Sequence, residues 1–110
     1  MNSWKPISLS DLHQEIEKGI GLMTNEQLSL WHKIALKPEK WIENENGDLG
    51  GGFWIVAIVE NKVIWYNDIE DGFNISKYSN YGEIDEYWAN DDELQWIIHK
   101  ITHSTDGNYT

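Results

Sequence analysis

Carboxylates and aromatic rings are the groups in this sequence with the most chemistry to offer, and they crowd into one part of it. Between Glu39 and Glu93, fourteen Asp and Glu face only Lys40, Lys62 and Lys77, which accounts for the whole formal charge of -11. Residues 1–38 and 94–110 are each neutral. Trp65, Tyr66, Phe73, Tyr78, Tyr81, Tyr87 and Trp88 are interleaved with the acids. This combination suits recognition of a basic protein, because carboxylates speed the encounter and reject wrong partners while desolvated rings carry most of the affinity. The densest run, Asp68, Glu70 and Asp71, directly follows Trp65-Tyr66, and Glu83, Asp85 and Glu86 form a second group. These six acids, with Trp65, Tyr66, Tyr78 and Tyr87 as anchors, are the candidate partner-binding residues. The competing reading makes the acids a solubilising surface and the rings core.

Other chemistries fit less well. Two carboxylates can act as a hydrolytic acid and base, but among nineteen acids close pairs arise by chance and none is marked as buried. If Gly72 were the turn glycine of a calcium loop, Ile69 and Tyr78 would stand at ligand positions that need oxygen donors of another kind. His99 and His103 have the i, i+4 spacing of a two-histidine zinc clamp, yet Lys100 stands where a catalytic zinc helix carries Glu. With no Cys and only His13 and His32 besides, they read as surface histidines. Gly50-Gly51-Gly52 opens no helix and precedes no Lys-Ser/Thr, so it is not a phosphate cradle. No enzyme activity, metal or cofactor is expected.

A chain of 110 residues with 40% hydrophobic residues and 7 Trp has the means to fold as one domain spanning 1–110. All eight basic residues are Lys, so the side chain best suited to gripping phosphate or guanine is missing and nucleic acid is not an expected partner. Without Cys there are no disulfides, and packing must hold the chain together. Met1 to Pro6 lead into Ser8, Asp11 and Glu15 and not into an apolar run, so no signal peptide is read there. The longest apolar run, Phe53 to Val59, is far short of the ~20 residues a membrane span needs. A cytoplasmic protein follows as the expectation, with the sequons at Asn74 and Asn108 fortuitous. The oligomeric state is left open.

The elements that must position these residues are legible in part. Ser8 and Asp11 open a helix with Leu9, Leu12, Ile16 and Ile20 on one face. Thr24 and Gln27 open a second, with Leu28, Trp31, Ile34 and Ala35 inward and Pro38 as its stop. Glu43 to Gly52 reads as an exposed loop. Phe53 to Val59, apolar on both faces, predicts a central strand, and Glu60-Asn61-Lys62 turns it into Val63 to Tyr66. A third strand is predicted near Phe73 to Tyr78, with Asn74 and Ser76 on a wet face. Glu83 to Trp88 reads equally as a short strand or a packed loop. Asn90 caps a last helix whose stripe is Leu94, Ile97, Ile98 and Ile101, with Trp96 on the opposite side. The predicted fold class is α+β: a three- to four-stranded antiparallel sheet with two N-terminal helices and one C-terminal helix packed on it.

Gly52-Phe53-Trp54, the run from Val63 to Asn74, Tyr81 to Trp88 and Asp92 to Trp96 together look like small bacterial proteins encoded near secreted toxins. More loosely, this last two thirds of the chain resembles the immunity proteins of contact-dependent growth inhibition and related polymorphic toxin systems. That resemblance implies a cytoplasmic, non-enzymatic inhibitor that binds the toxic domain of a sibling cell's effector and blocks its active site or substrate groove. It carries no site residues over. A nuclease toxin is basic in order to hold phosphates, and an inhibitor profits from placing carboxylates where those phosphates would lie. Two other readings stay open: an adaptor for another basic cellular protein, and a carboxylate-pair hydrolase.

Overall fold

The computed structural model describes residues 5–43 and 51–103. The middle of the predicted loop, the first four residues and Asn108 lie outside them. The chain forms α1 (Leu9–Gly21), α2 (Asn25–Ile34), β1 (Ala35–Trp41), β2 (Phe53–Val59), β3 (Lys62–Asn67), β4 (Gly72–Lys77) and α3 (Leu94–Thr102). The four strands make one antiparallel sheet in the order β1-β2-β3-β4. The α+β architecture read from the sequence is the one the chain adopts.

Local signals set the helix starts. Ser8 accepts a hydrogen bond from the Asp11 amide at 3.1 Å, and Thr24 and Gln27 form a reciprocal capping box. Leu12, Ile16 and Trp31 are buried, whereas Leu9 lies outside the core. The second helix ends at Ile34, before Pro38, and the next seven residues form the edge strand β1. β2 is strongly apolar and pairs on both sides, so the segment after α2 is drawn into the ladder. Pro38 sits on the sheet edge, within the irregular register between Ala35↔Ala57 and Glu39↔Ile55, where a missing amide donor costs little.

A bulge in β2 decides how its side chains are shared. The register slips between Ile55↔Trp65 and Ala57↔Ile64, so Val56 and Ala57 both turn toward the helices. The helix side of the sheet collects Leu12, Ile16, Trp31, Tyr66, Phe73 and the α3 stripe of Leu94, Ile97, Ile98 and Ile101. Trp41, Phe53, Ile55, Val63, Trp65 and Ile84 form a second core on the opposite face, with Tyr78 and Tyr87 packed against it. Both faces of the sheet are therefore buried. The surplus of aromatic residues in the middle of the chain builds this second core, in which ring centroids of Phe53 and Trp65 lie 4.7 Å apart and those of Trp41 and Tyr78 5.1 Å. Such pairs add about 0.5–1.5 kcal/mol each beyond burial.

The expected wet face of β4 is dry: Asn74 and Ser76 are buried, because the segment after β4 returns across them. That segment, residues 78–93, forms no named strand; its bridges are Ile42↔Glu83 and Phe73↔Asp92. It is a packed loop, a strap over the second core. Asn90 does not cap α3. Glu93 holds the cap position without a side-chain cap bond, since the backbone of Asn90 is committed to Asn74.

The strap crosses so close to β4 that a Cβ at Gly72 would overlap the Asp91 backbone, whereas one at Gly21 meets nothing. Gly72→Ala is expected to lower stability by at least ~2 kcal/mol, through overpacking against atoms that cannot step aside. Gly21→Ala should raise it by about 0.4–1 kcal/mol, by restricting the unfolded chain. Urea unfolding midpoints measure both.

Candidate functional site

Two buried asparagines at the end of the sheet hold the strap. Asn74 Nδ2 donates to the Asn90 carbonyl at 3.0 Å, and its Oδ1 accepts from the Asn90 amide at 3.0 Å, so the side chain imitates a strand partner. Asn67 Nδ2 donates to the Trp88 carbonyl and to the Tyr87 hydroxyl, both at 3.0 Å, while its Oδ1 accepts from the Ile69 and Glu70 amides. One side chain thus shapes the β3–β4 turn and ties it to the strap. The edge of β4 is covered in the same way: the Lys77 amide donates to Glu86, the Asp85 amide to the Lys77 carbonyl, and the Phe73 amide to the Asp92 carbonyl. At the other edge the Ile42 amide donates to the Gly82 carbonyl and the Ile84 amide to the Ile42 carbonyl.

These bonds place the sequence-predicted residues in three settings. Trp65 has no exposed surface, and its indole N–H donates to Ser76 at 2.9 Å; Tyr66 is buried edge-on against Phe73 at 5.0 Å. Neither is a surface anchor, because the period-2 pattern that made them strand residues also turned them into the two cores. Tyr87 is half-buried against Phe53 and Trp65 and holds Asn67, and Tyr78 is half-buried against Trp41. Asp68 is also withdrawn from the surface. It is buried and accepts from the Ile7 amide at 2.7 Å, while the Trp54 indole donates to the Ile7 carbonyl at 3.2 Å, so together they pin the segment leading into α1.

Glu70, Asp71, Glu83 and Asp85 are exposed and Glu86 is half-buried. Asn67 and the contact of Gly72 with Asp91 bring Glu70 and Asp71 beside Trp88 and Asp91, and the Trp88 indole leans on Glu86. Asp71 takes a left-handed φ of 60°, a conformation that Asp tolerates in turns. Among the described residues no lysine forms an ion pair with Glu70, Asp71, Glu83, Asp85, Glu86 or Asp91, whereas Lys18 pairs with Glu15 and Glu93 and Lys100 with Asp92.

The exposed rings are ones the sequence reading did not select. Trp88 is 48% exposed, Tyr81 67%, and Ile69 and Ile42 join them as exposed apolar residues on the turn and strap. Their signal was position: Tyr81 and Trp88 lie in turn-rich sequence without alternation, where no ladder pulls side chains inward. Tyr81 nonetheless has a defined place. It stacks on Trp41 with centroids 4.7 Å apart and donates to Glu39, which also receives the Trp41 indole N–H at 2.8 Å. The Trp41 bond first, and then that from Tyr81, hold the Glu39 carboxyl below its usual range, and the same bond raises the Tyr81 phenol.

Away from this surface, Trp96, whose helical phase allowed it to be either covered by another element or free, is exposed at the rim of a cleft of about 480 Å³ bordered by Leu22, Thr24, Gln27 and Glu93. No group of three or more candidate metal ligands occurs among the described residues. No described helix is long and apolar enough to cross a membrane. Set against protein-family models, curated proteins and solved structures, the chain finds no match.

Two measurements check this arrangement. Asn74→Ala would strand the amide and carbonyl of Asn90 and is expected to cost about 2–3 kcal/mol in urea unfolding. Asn67→Ala should cost a similar amount and accelerate hydrogen exchange in the strap. The second measurement concerns alkaline pH. Burial, and after it the charges of Asp71, Glu15 and Asp68, push the Tyr66 phenol from its ordinary 10.0 up to about 12. A raised folded-state value means that the folded chain keeps a proton that the unfolded chain releases. Stability is therefore whole below pH 10 and falls as pH climbs toward about 12. Tyr66→Phe should flatten that fall, read from unfolding midpoints across the interval.

Proposed function

We propose that this chain is a binding protein of the immunity type, which neutralises a basic toxin domain through the surface formed by the β3–β4 turn and the strap. The observation that carries this reading is Trp88, half-exposed yet tethered through its carbonyl to buried Asn67, with Glu86 against its indole and with exposed Glu70, Asp71 and Asp91, which form no ion pair, on the backbone segments that Asn67 and Gly72 bring together. A large ring fixed by its backbone loses little entropy when it is covered, and rigid aromatic anchors of this kind dominate interface energetics. Carboxylates without intramolecular cations keep their full field for a cationic partner and raise its rate of arrival. Sequence resemblance to toxin-immunity proteins and the absence of Arg point to the same class of partner, a basic protein rather than nucleic acid.

The anchors differ from those expected. Trp88, with Tyr81 toward β1, takes the place of Trp65 and Tyr66; Glu70, Asp71, Glu83, Asp85 and Glu86 keep their assignment, Asp91 joins them, and Asp68 leaves. A groove that binds phosphates presents Lys and Arg at its floor, and an acidic rim around one inserted indole matches such a groove in charge and shape.

Co-expression of the chain with the toxin domain encoded beside it is expected to yield a stable complex whose association rate falls as salt is raised. Trp88→Ala should weaken binding by ~2 kcal/mol or more, about thirtyfold. The paired reversal Glu70→Lys with Asp71→Lys should slow association, while Glu26→Lys on α2 should leave both rates unchanged. Failure to form a complex, or full affinity in the Trp88 and Glu70/Asp71 variants, would remove this surface from consideration.

A further inference from the structure

We propose that His99 and His103 form a two-imidazole site for a divalent late transition metal, Cu2+ ahead of Ni2+ and Zn2+. The site is distinct from the strap surface. The two residues stand one turn apart on α3, their rings stacked with centroids 3.9 Å apart and planes inclined by 32°. Two imidazole nitrogens in neighbouring positions of one tetragonal copper ion at about 2.0 Å lie roughly 2.8–2.9 Å from each other, so side-chain rotation out of the stack is needed to turn both lone pairs onto one metal.

The proton inventory of His103 suits it to the task. Its Nδ1 lies 3.1 Å from the His99 carbonyl oxygen and 3.1 Å from the Thr102 hydroxyl. A carbonyl can only accept, so Nδ1 carries the proton and the lone pair sits on Nε2. Donation from the second ring nitrogen to a backbone carbonyl is the usual way in which a protein fixes the tautomer and orientation of a metal-binding histidine. His99 is steadied differently, its ring edge-to-face with the Trp96 indole at 5.9 Å and 81°.

Position adds to geometry. Both histidines lie at the C-terminal end of α3, where the helix dipole presents partial negative charge and favours a cation. Trp96 and His103 are exposed and His99 is half-exposed, so a hydrated ion has an open approach. The described residues supply two ligands, which leaves coordination positions for water or a further donor. Imidazole nitrogen selects the borderline late transition metals, and hard cations such as Mg2+ and Ca2+ prefer all-oxygen sites.

The test is a titration of the full chain with Cu2+ at neutral pH, followed by calorimetry and by tryptophan fluorescence. One equivalent is expected to bind and to quench emission. His99→Asn and His103→Asn should each weaken binding by about tenfold or more, since loss of a direct ligand exceeds the tenfold typical of losing a ligand's supporting partner. His13→Asn and His32→Asn should leave affinity unchanged, and Trp96→Phe should remove most of the quenching. Because the substituted side chains lie at the surface, unchanged circular dichroism will show that the variants fold. Equal affinity in wild type and in the His99→Asn/His103→Asn double variant would overturn the proposal, as would binding lost with His13 or His32 instead.

Discussion

A four-stranded sheet that is apolar on both faces must be covered twice. Here the three helices supply only one cover. The other face carries Trp41, Phe53, Ile55, Val63 and Trp65, and leaving it in water would forfeit about 25 cal/mol for every square ångström of apolar surface. The remaining chain between β4 and α3 therefore has to lie across it. This segment has no regular ladder of its own, so its backbone polar groups need partners elsewhere. Asn67 and Asn74, both wholly buried, provide them, along with the outer edges of β1 and β4. Much else follows from this: the dryness of Asn74 and Ser76, the glycine at 72 and the exposure of Trp88.

The same constraint sorts the acidic residues. Asp68, on the β3–β4 turn, is buried and committed to structure through Ile7, whereas Glu86 and Asp85 each accept one local bond, from the Lys77 amide and from Ser79, and still reach solvent. Glu70, Asp71 and Asp91 are exposed, as are Trp88 and Tyr81 on the strap. The cost of such a surface, mutual repulsion among like charges, is moderated by water and salt, which screen exposed carboxylates. Buried and solvent-facing carboxylates are thus divided residue by residue along this part of the chain.

Some parts of this architecture were legible residue by residue. Helix starts at Ser8 and Thr24 followed from short-range hydrogen-bond chemistry, and the strand from Phe53 to Val59 from a run too apolar for any one-sided element. The stripe of Leu94, Ile97, Ile98 and Ile101 followed from helical periodicity. Other parts were not. β1 carries Pro38 and three charged residues, and becomes a strand because β2 offers it an edge. Asn90 has the right chemistry for a cap but is claimed by Asn74, sixteen positions earlier in the chain. Trp65 and Trp88 are the same residue type in the same acidic stretch, and only their places relative to the ladder make one core and the other surface.

By itself the sequence determined the fold class, the caps of the two N-terminal helices, the central hairpin and the concentration of negative charge between Glu39 and Glu93, since each depends on neighbours a few residues apart or on composition. Tertiary structure alone decided which rings and carboxylates face water. That choice depends on a second face of the sheet needing a lid, and on two asparagine side chains reaching across to hold it, contacts between segments that no local pattern encodes.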